Sequence, residues 1–204
     1  MKHEWMSGAA ASVLALVFAA QPGYADGAAP DAATAPNTAT QLAAARAATK
    51  DLGETLKGQL MSAIKSGGAI SAISVCKTVA PTIAADASTK HHLTVRRTAL
   101  KIRNPENAAD AFETRVLQDF VDKLAAGADP ATLDYSETVT DNGATSFRYM
   151  KAIPTAAEPC LACHGSDVKP EVKAEITKLY PADQATGFKA GDLRGAFSVS
   201  ISSQ

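Results

Sequence analysis

The sequence predicts an α+β domain, and three observations carry that reading. Apolar residues recur at helical spacing through much of the first half, an Asn-Gly turn separates two strand-like runs, and the chain closes on apolar residues alternating with serine. The 204 residues, 46% hydrophobic and 20% charged, suffice for one globular domain with a tail. A formal net charge of −1 supplies no positive excess, so nucleic-acid binding and electrostatic docking to a membrane are disfavoured.

In chain order, Lys2 and His3 precede an apolar run from Ala9 to Ala20, and Gly23-Tyr24-Ala25 places small residues before Asp26. Residues 1–25 therefore read as a cleaved secretory signal, and the expected location is the periplasm. The run is shorter than the roughly 18 to 20 residues of a spanning helix, so no membrane span is expected in the mature chain. Residues 26–40, almost wholly Ala, Pro, Thr, Asp and Asn, are expected to form a disordered tether, leaving 41–204 as the folded domain.

From Gln41 to Lys65, Leu52, Leu56, Leu60 and Ile64 repeat at helical spacing until Gly67-Gly68. A second helix, about Ala69 to Ala85, aligns Ile73, Cys76, Val79 and Ile83 on one stripe that turns Cys76 inward, and Pro81 is expected to kink it. Leu93 to Leu100 is β-prone around Thr94-Val95. Arg103-Asn104-Pro105 breaks the chain before a third helix, about Asn107 to Ala126, with Phe112, Val116, Phe120 and Leu124 on one face and Gly127 at its end. Tyr135–Thr140 and Ala144–Ile153 flank Asp141-Asn142-Gly143 and read as an antiparallel hairpin. A short helix from about Glu171 to Tyr180 follows, then a half-buried strand through Phe197, Val199 and Ile201.

Export places Cys76, Cys160 and Cys163 where thiols oxidise, and an odd count there calls for a partner chain, a metal or a cofactor. Cys160-Leu161-Ala162-Cys163-His164 is the C-x-x-C-H pattern of covalent c-type haem attachment, in which two thiols bond the vinyl groups and the histidine ligates iron. A thioredoxin-like pair would lie between an early strand and a helix start, whereas this one follows a hairpin and a loop with Pro154 and Pro159. A zinc site would need two further ligands, such as Cys76 with His91 or His92. A plain disulfide is the simplest alternative, and in an exported chain haem attachment is favoured over all three.

One haem held there needs a sixth iron ligand, and Cys76, His91, His92, Met61 and Met150 are the candidates. His91 and His92 lie beside Lys90 in a polar stretch and read as solvated. Met150 alternates with Tyr149 in a strand and reads as core. Cys76 is the odd thiol on an inward face, with a buried small hydrophobe as its plainer reading.

The stretches Ile73-Ser74-Val75-Cys76 with Ala80-Pro81, Arg97-Thr98, Arg103-Asn104-Pro105 with Asn107, Phe147-Arg148-Tyr149-Met150, Cys160 to Gly165, and Tyr180-Pro181 to Ser198 occur in one order. Through them the chain resembles the single-haem c-type cytochrome domains with a PAS-like fold, from about Leu52 to Ile201. The resemblance implies a central antiparallel sheet flanked by helices, one haem on the late motif, and Cys76 opposite His164 on the iron. It departs at Ala99, Ala109 and Phe112, where the family has serine, proline and tryptophan, none of them an iron ligand. It also matches Arg97 and Arg103, which are candidates for contacts to the haem propionates because carboxylates recruit charge-assisted donors. Arg194 reads only as a cap on the loop before the last strand.

A thiolate opposite imidazole favours ferric iron. Reduction is then expected to release Cys76 and open a place for CO, NO or O₂, which makes a redox or gas sensor working with an unidentified redox partner protein. An electron carrier would keep one ligand set in both oxidation states. A peroxidase needs an open sixth position with acid–base groups beside it, so an enzyme is disfavoured.

Overall fold

The computed structural model describes residues 38–202, so the expected signal segment and residues 26–37 of the expected tether lie outside the described residues. Helix α1 (Thr38–Thr78) starts three residues inside the stretch read as a tether, because Ala45, Ala48 and Leu52 already bury one face of its opening turns. Gly67 (φ −154°, ψ 19°) and Gly68 (φ 70°, ψ −164°) interrupt it at the expected break, and the positive φ of Gly68 is backbone that favours glycine.

Helix α2 (Ala80–His91) corrects the expectation at Pro81. The proline lies in the first turn of a new helix, where its missing N–H leaves no bond unmade, so it starts α2 instead of kinking a longer helix. The stripe from Ile73 to Ile83 is thereby divided between two helices, and α2 runs past Ala85 to a left-handed His92 (φ 53°).

Strand β1 (Thr94–Thr98) leads into a loop with one 3₁₀ turn (Pro105–Asn107). Helix α3 (Ala111–Ala125) starts four residues later than the apolar pattern suggests. Its boundary is set by a capping box: Glu113 N donates to Asp110 Oδ1 at 2.7 Å, and Asp110 N donates to Glu113 Oε2 at 3.1 Å. Strands β2 (Asp134–Asp141) and β3 (Ala144–Pro154) form the hairpin, with Asn142 (φ 49°) and Gly143 (φ 80°) in its turn. One-turn α4 (Leu161–His164), helix α5 (Pro170–Leu179) and strand β4 (Leu193–Ser202) complete the chain.

The sheet is antiparallel in the order β1-β4-β3-β2, with Val95 and Tyr149 both opposite Val199. Alternation along β3 divides the core. Phe147 and Tyr149 face Leu52, Ile83 and Ala45 of α1 and α2, whereas Met150 and Ala152 face Val116, Leu117 and Phe120 of α3. Beyond the glycine break, α1 turns to α5, and Ile73 packs with Val172, Ile176 and Tyr180. The α+β class with a central antiparallel sheet is therefore the observed one. Among the described residues no single helix is long and apolar enough to cross a membrane.

The cap of α3 gives a measurable consequence. Arg148 Nη2 also donates to Asp110 Oδ2 at 2.8 Å. Burial pushes the Asp110 carboxyl up, but the Glu113 N–H and the Arg148 guanidinium outweigh it and hold the group below 3.8. Asp110→Ala is expected to cost about 1–2 kcal/mol in urea denaturation near neutral pH. Because the folded value is the lower one, the carboxylate's contribution is complete above about pH 4 and is lost as pH falls through the folded value. The gap between wild type and D110A should therefore close on acidification; a gap unchanged to about pH 2 contradicts the assignment.

Candidate functional site

The C-x-x-C-H segment closes into a single helical turn. Cys163 N and His164 N both donate to Cys160 O, at 3.2 and 2.9 Å, and Gly165 N donates to Leu161 O at 2.9 Å. A Cβ on Gly165 would stand 2.6 Å from Leu161 O, so glycine is what lets the turn finish there. The next loop then clamps it: Phe188 N donates to His164 O and Gly187 N to Gly165 O, each at 3.0 Å.

This clamp orients His164. Its Nδ1 lies 2.7 Å from Ala185 O, and a carbonyl only accepts, so Nδ1 carries the proton and Nε2 keeps its lone pair. The Phe188 ring meets the imidazole edge-on, with centroids 6.3 Å apart. Burial, then the cationic Arg194 and Arg103, push His164 down to about 3, so the ring is neutral at physiological pH.

Arg103 reaches this region on the loop after β1, which folds back where Ala99 N donates to Asn107 O at 3.2 Å. Its guanidinium forks onto Asp183, with Nε donating to Oδ1 at 2.9 Å, and Nη2 donates to Cys163 O at 2.7 Å and Ala185 O at 3.1 Å. Asp183 Oδ1 also accepts from Ala185 N at 3.0 Å. Arg103, only 8% exposed, thus ties the C-x-x-C-H turn to the carbonyl that holds His164.

Arg194, at the start of β4, was expected only to cap a loop. The structure sets its Nε 3.2 Å from Nδ1 and 3.4 Å from Nε2 of His164, while Nη1 donates to Lys101 O at 3.1 Å. Burial, followed by the nearby Arg103 and Arg97, pulls Arg194 down to about 10. Arg97, Arg103, Arg194 and His164 line one cavity of about 120 Å³ whose walls include no carboxylate.

All three cysteines are free thiols and part-buried. Burial raises Cys163 against the lowering effect of Arg103. Cys76 is part-buried rather than turned fully inward, whereas Ile73 on the same stripe is 2% exposed. It does not line the cavity at His164, yet it is near enough for its charge to act on Cys163, Tyr180 and Arg194. The packing of Ile73 against α5 and Cys163 accounts for that placement.

The other candidate ligands lie elsewhere. His91 Nε2 is held by Asp51 Oδ2 at 3.0 Å, and His92 is exposed. Met61 is 44% exposed on α1, and Met150 is fully buried with Phe120 on the far face of the sheet. None of the four lines the cavity. Among the described residues no three His, Cys, Asp or Glu side chains converge as a metal site, so the zinc alternative is not assembled.

The donor set suits an iron porphyrin: two free thiols on one turn, a neutral imidazole with its Nε2 lone pair available, and one buried and two part-buried arginines. Sequence reasoning missed the roles of Arg194, Asp183 and Ala185. Only their presence in the stretch from Tyr180 to Ser198 that carried the resemblance pointed to them.

A solved structure described as the crystal structure of the cyanobacterial haem protein Tll0287 matches with a TM-score of 0.58 and 25% identity, over 80% of this chain and 97% of that one. No curated protein sequence matches. The Tll0287-like family matches residues 29–202, which spans the sheet, all five helices and the C-x-x-C-H turn, and the chain belongs to that family.

Proposed function

We propose that this chain is a haem-binding cytochrome that would carry one haem covalently on Cys160 and Cys163 and hold its iron with His164 and Cys76, and that it acts in the periplasm as a redox or diatomic-gas sensor. The observation that carries the reading is the geometry of the C-x-x-C-H turn. It presents two free thiols beside a neutral histidine whose Nδ1 proton is spent on Ala185 O. Membership of a family whose solved namesake is described as a haem protein supports the choice of group.

When bound, haem iron supplies a one-electron Fe(III)/Fe(II) couple and, where an axial ligand leaves, a position for a diatomic gas. The residues divide the remaining work. Ala185 O fixes the tautomer and direction of His164, Arg103 holds that carbonyl in register with Cys163, and Phe188 limits rotation of the ring. Cys76 would hold the iron as a thiolate, which favours the ferric state, and on reduction by an external donor protein it would be the ligand released, as a thiol protonated from solvent, so that the segment after the glycine break of α1 would be free to move.

The test is addition of CO to the dithionite-reduced, matured protein. A CO adduct on the ferrous form, absent from the ferric form, is the expected result. A reduced protein that stays six-coordinate and ignores CO rejects sensing by ligand release and leaves an electron carrier with a fixed ligand set.

A further inference from the structure

A second cavity, of about 570 Å³, opens between the last turns of α3 and the loop from Gly187 to Arg194. Neither His164 nor any of the three cysteines lines it, and among the described residues it shares only Arg194 and Gly195 with the cavity at His164. Its size is that of a small-molecule pocket. Most of its wall is apolar: Val121, Leu124 and Ala125 of α3 are joined there by Phe188 and Leu193. The charged groups on the wall are not equally free. Asp192 is engaged, with Oδ2 accepting from Lys189 N at 2.7 Å, and Arg194 is committed to the His164 ring and to Lys101 O. The Lys101 ammonium donates to Thr186 O, stands 4.8 Å from the centre of the Phe188 ring, and makes no ion pair among the described residues. A free cation beside an apolar pocket is complementary to an anion with an apolar body.

We propose that this cavity binds a small organic monocarboxylate, with its apolar body against α3 and Phe188 and its carboxylate on Lys101, and that occupancy is felt at His164. Two connections carry the effect. Phe188 is a wall of the cavity, yet its ring meets the imidazole edge-on and its N–H donates to His164 O. Lys101 holds Thr186 O, one residue from the Ala185 carbonyl that fixes His164 Nδ1. A carboxylate that draws the ammonium off Thr186 O therefore loosens the support of that carbonyl. Binding at the cavity does not depend on haem. The effect on His164 is read through the haem and rests on the haem reading above.

Calorimetric titration of the matured full chain with 4-phenylbutyrate, and with 4-phenylbutyramide as its uncharged match, tests the site. The carboxylate is expected to bind at least about tenfold more tightly than the amide, as one charge-assisted contact allows. Lys101→Gln should remove that preference, and Lys101→Arg should keep most of it. Ala125→Trp, at an exposed position of α3, should fill the cavity and abolish binding of both compounds with helix content unchanged. Saturation with the carboxylate should also shift the Soret band of the wild type. No binding of the carboxylate, or binding that survives A125W, overturns the site. Equal affinity for acid and amide overturns the role of Lys101, and binding without a Soret shift overturns the link to His164. A chain that binds 4-phenylbutyrate but attaches no haem rejects the haem reading and leaves the site standing.

Discussion

Replacing Cys160 and Cys163 together with alanine is expected to abolish haem that survives denaturation, while the sheet and its helices still fold. The reason is local. The turn is closed by backbone bonds, from Cys163 N and His164 N to Cys160 O and from Gly165 N to Leu161 O, none of which uses a thiol. Its outer support comes from Arg103 on Cys163 O and from Phe188 N on His164 O, again through backbone atoms. The double variant should therefore keep a neutral His164 bonded to Ala185 O and lose only the proposed covalent tether. Haem staining after denaturing electrophoresis should fall to background, while far-ultraviolet circular dichroism is preserved. Each single variant should retain one thioether, which an alkaline pyridine spectrum distinguishes from two. Undiminished covalent haem in the double variant would contradict the role of the motif outright.

Cys76→Ala carries the second large effect. The side chain stands after the glycine break of α1, near enough to Cys163, Tyr180 and Arg194 for its charge to act on each. It is part-buried, so truncation to alanine removes little packing, and the folded domain should lose less than about 1.5 kcal/mol. With Cys76 as the proposed iron ligand, the effect on the haem should be far larger. Removal of a negatively charged ligand should convert ferric low-spin iron to a form that binds added imidazole. It should also raise the potential by at least about 100 mV, roughly 2 kcal/mol where 59 mV is tenfold for one electron. Potentiometric titration checks the shift, and an unchanged potential with an unchanged absorption spectrum assigns Cys76 to packing alone.

The sequence carried most of the fold because most of it is periodic. The Asn142-Gly143 turn places β2 and β3, and the alternation of Phe197, Val199 and Ile201 with serine places β4, within a few residues of where they lie. Boundaries set by something other than apolar spacing were less legible. The start of α3 depends on reciprocal bonds between Asp110 and Glu113, and that of α2 on a proline that reads equally as a kink or a first-turn residue. At the site, the C-x-x-C-H motif is local and can be read directly. The roles of Arg194 and Ala185 arise from contacts across 30 and 21 residues, which no local pattern encodes. Arg103 was identified as a cation near the site, but its commitment to Asp183, 80 residues away, appears only when two loops meet.

Axial ligation by His164 and Cys76 is the claim on which the sensing account depends, and low-temperature EPR of the ferric, matured protein tests it most directly. Low-spin iron with a thiolate opposite imidazole gives a compressed spread of g-values, and that is the signal the account predicts. A wide spread of the kind given by two histidines, or by histidine and methionine, would contradict it, return Cys76 to packing and leave an electron carrier.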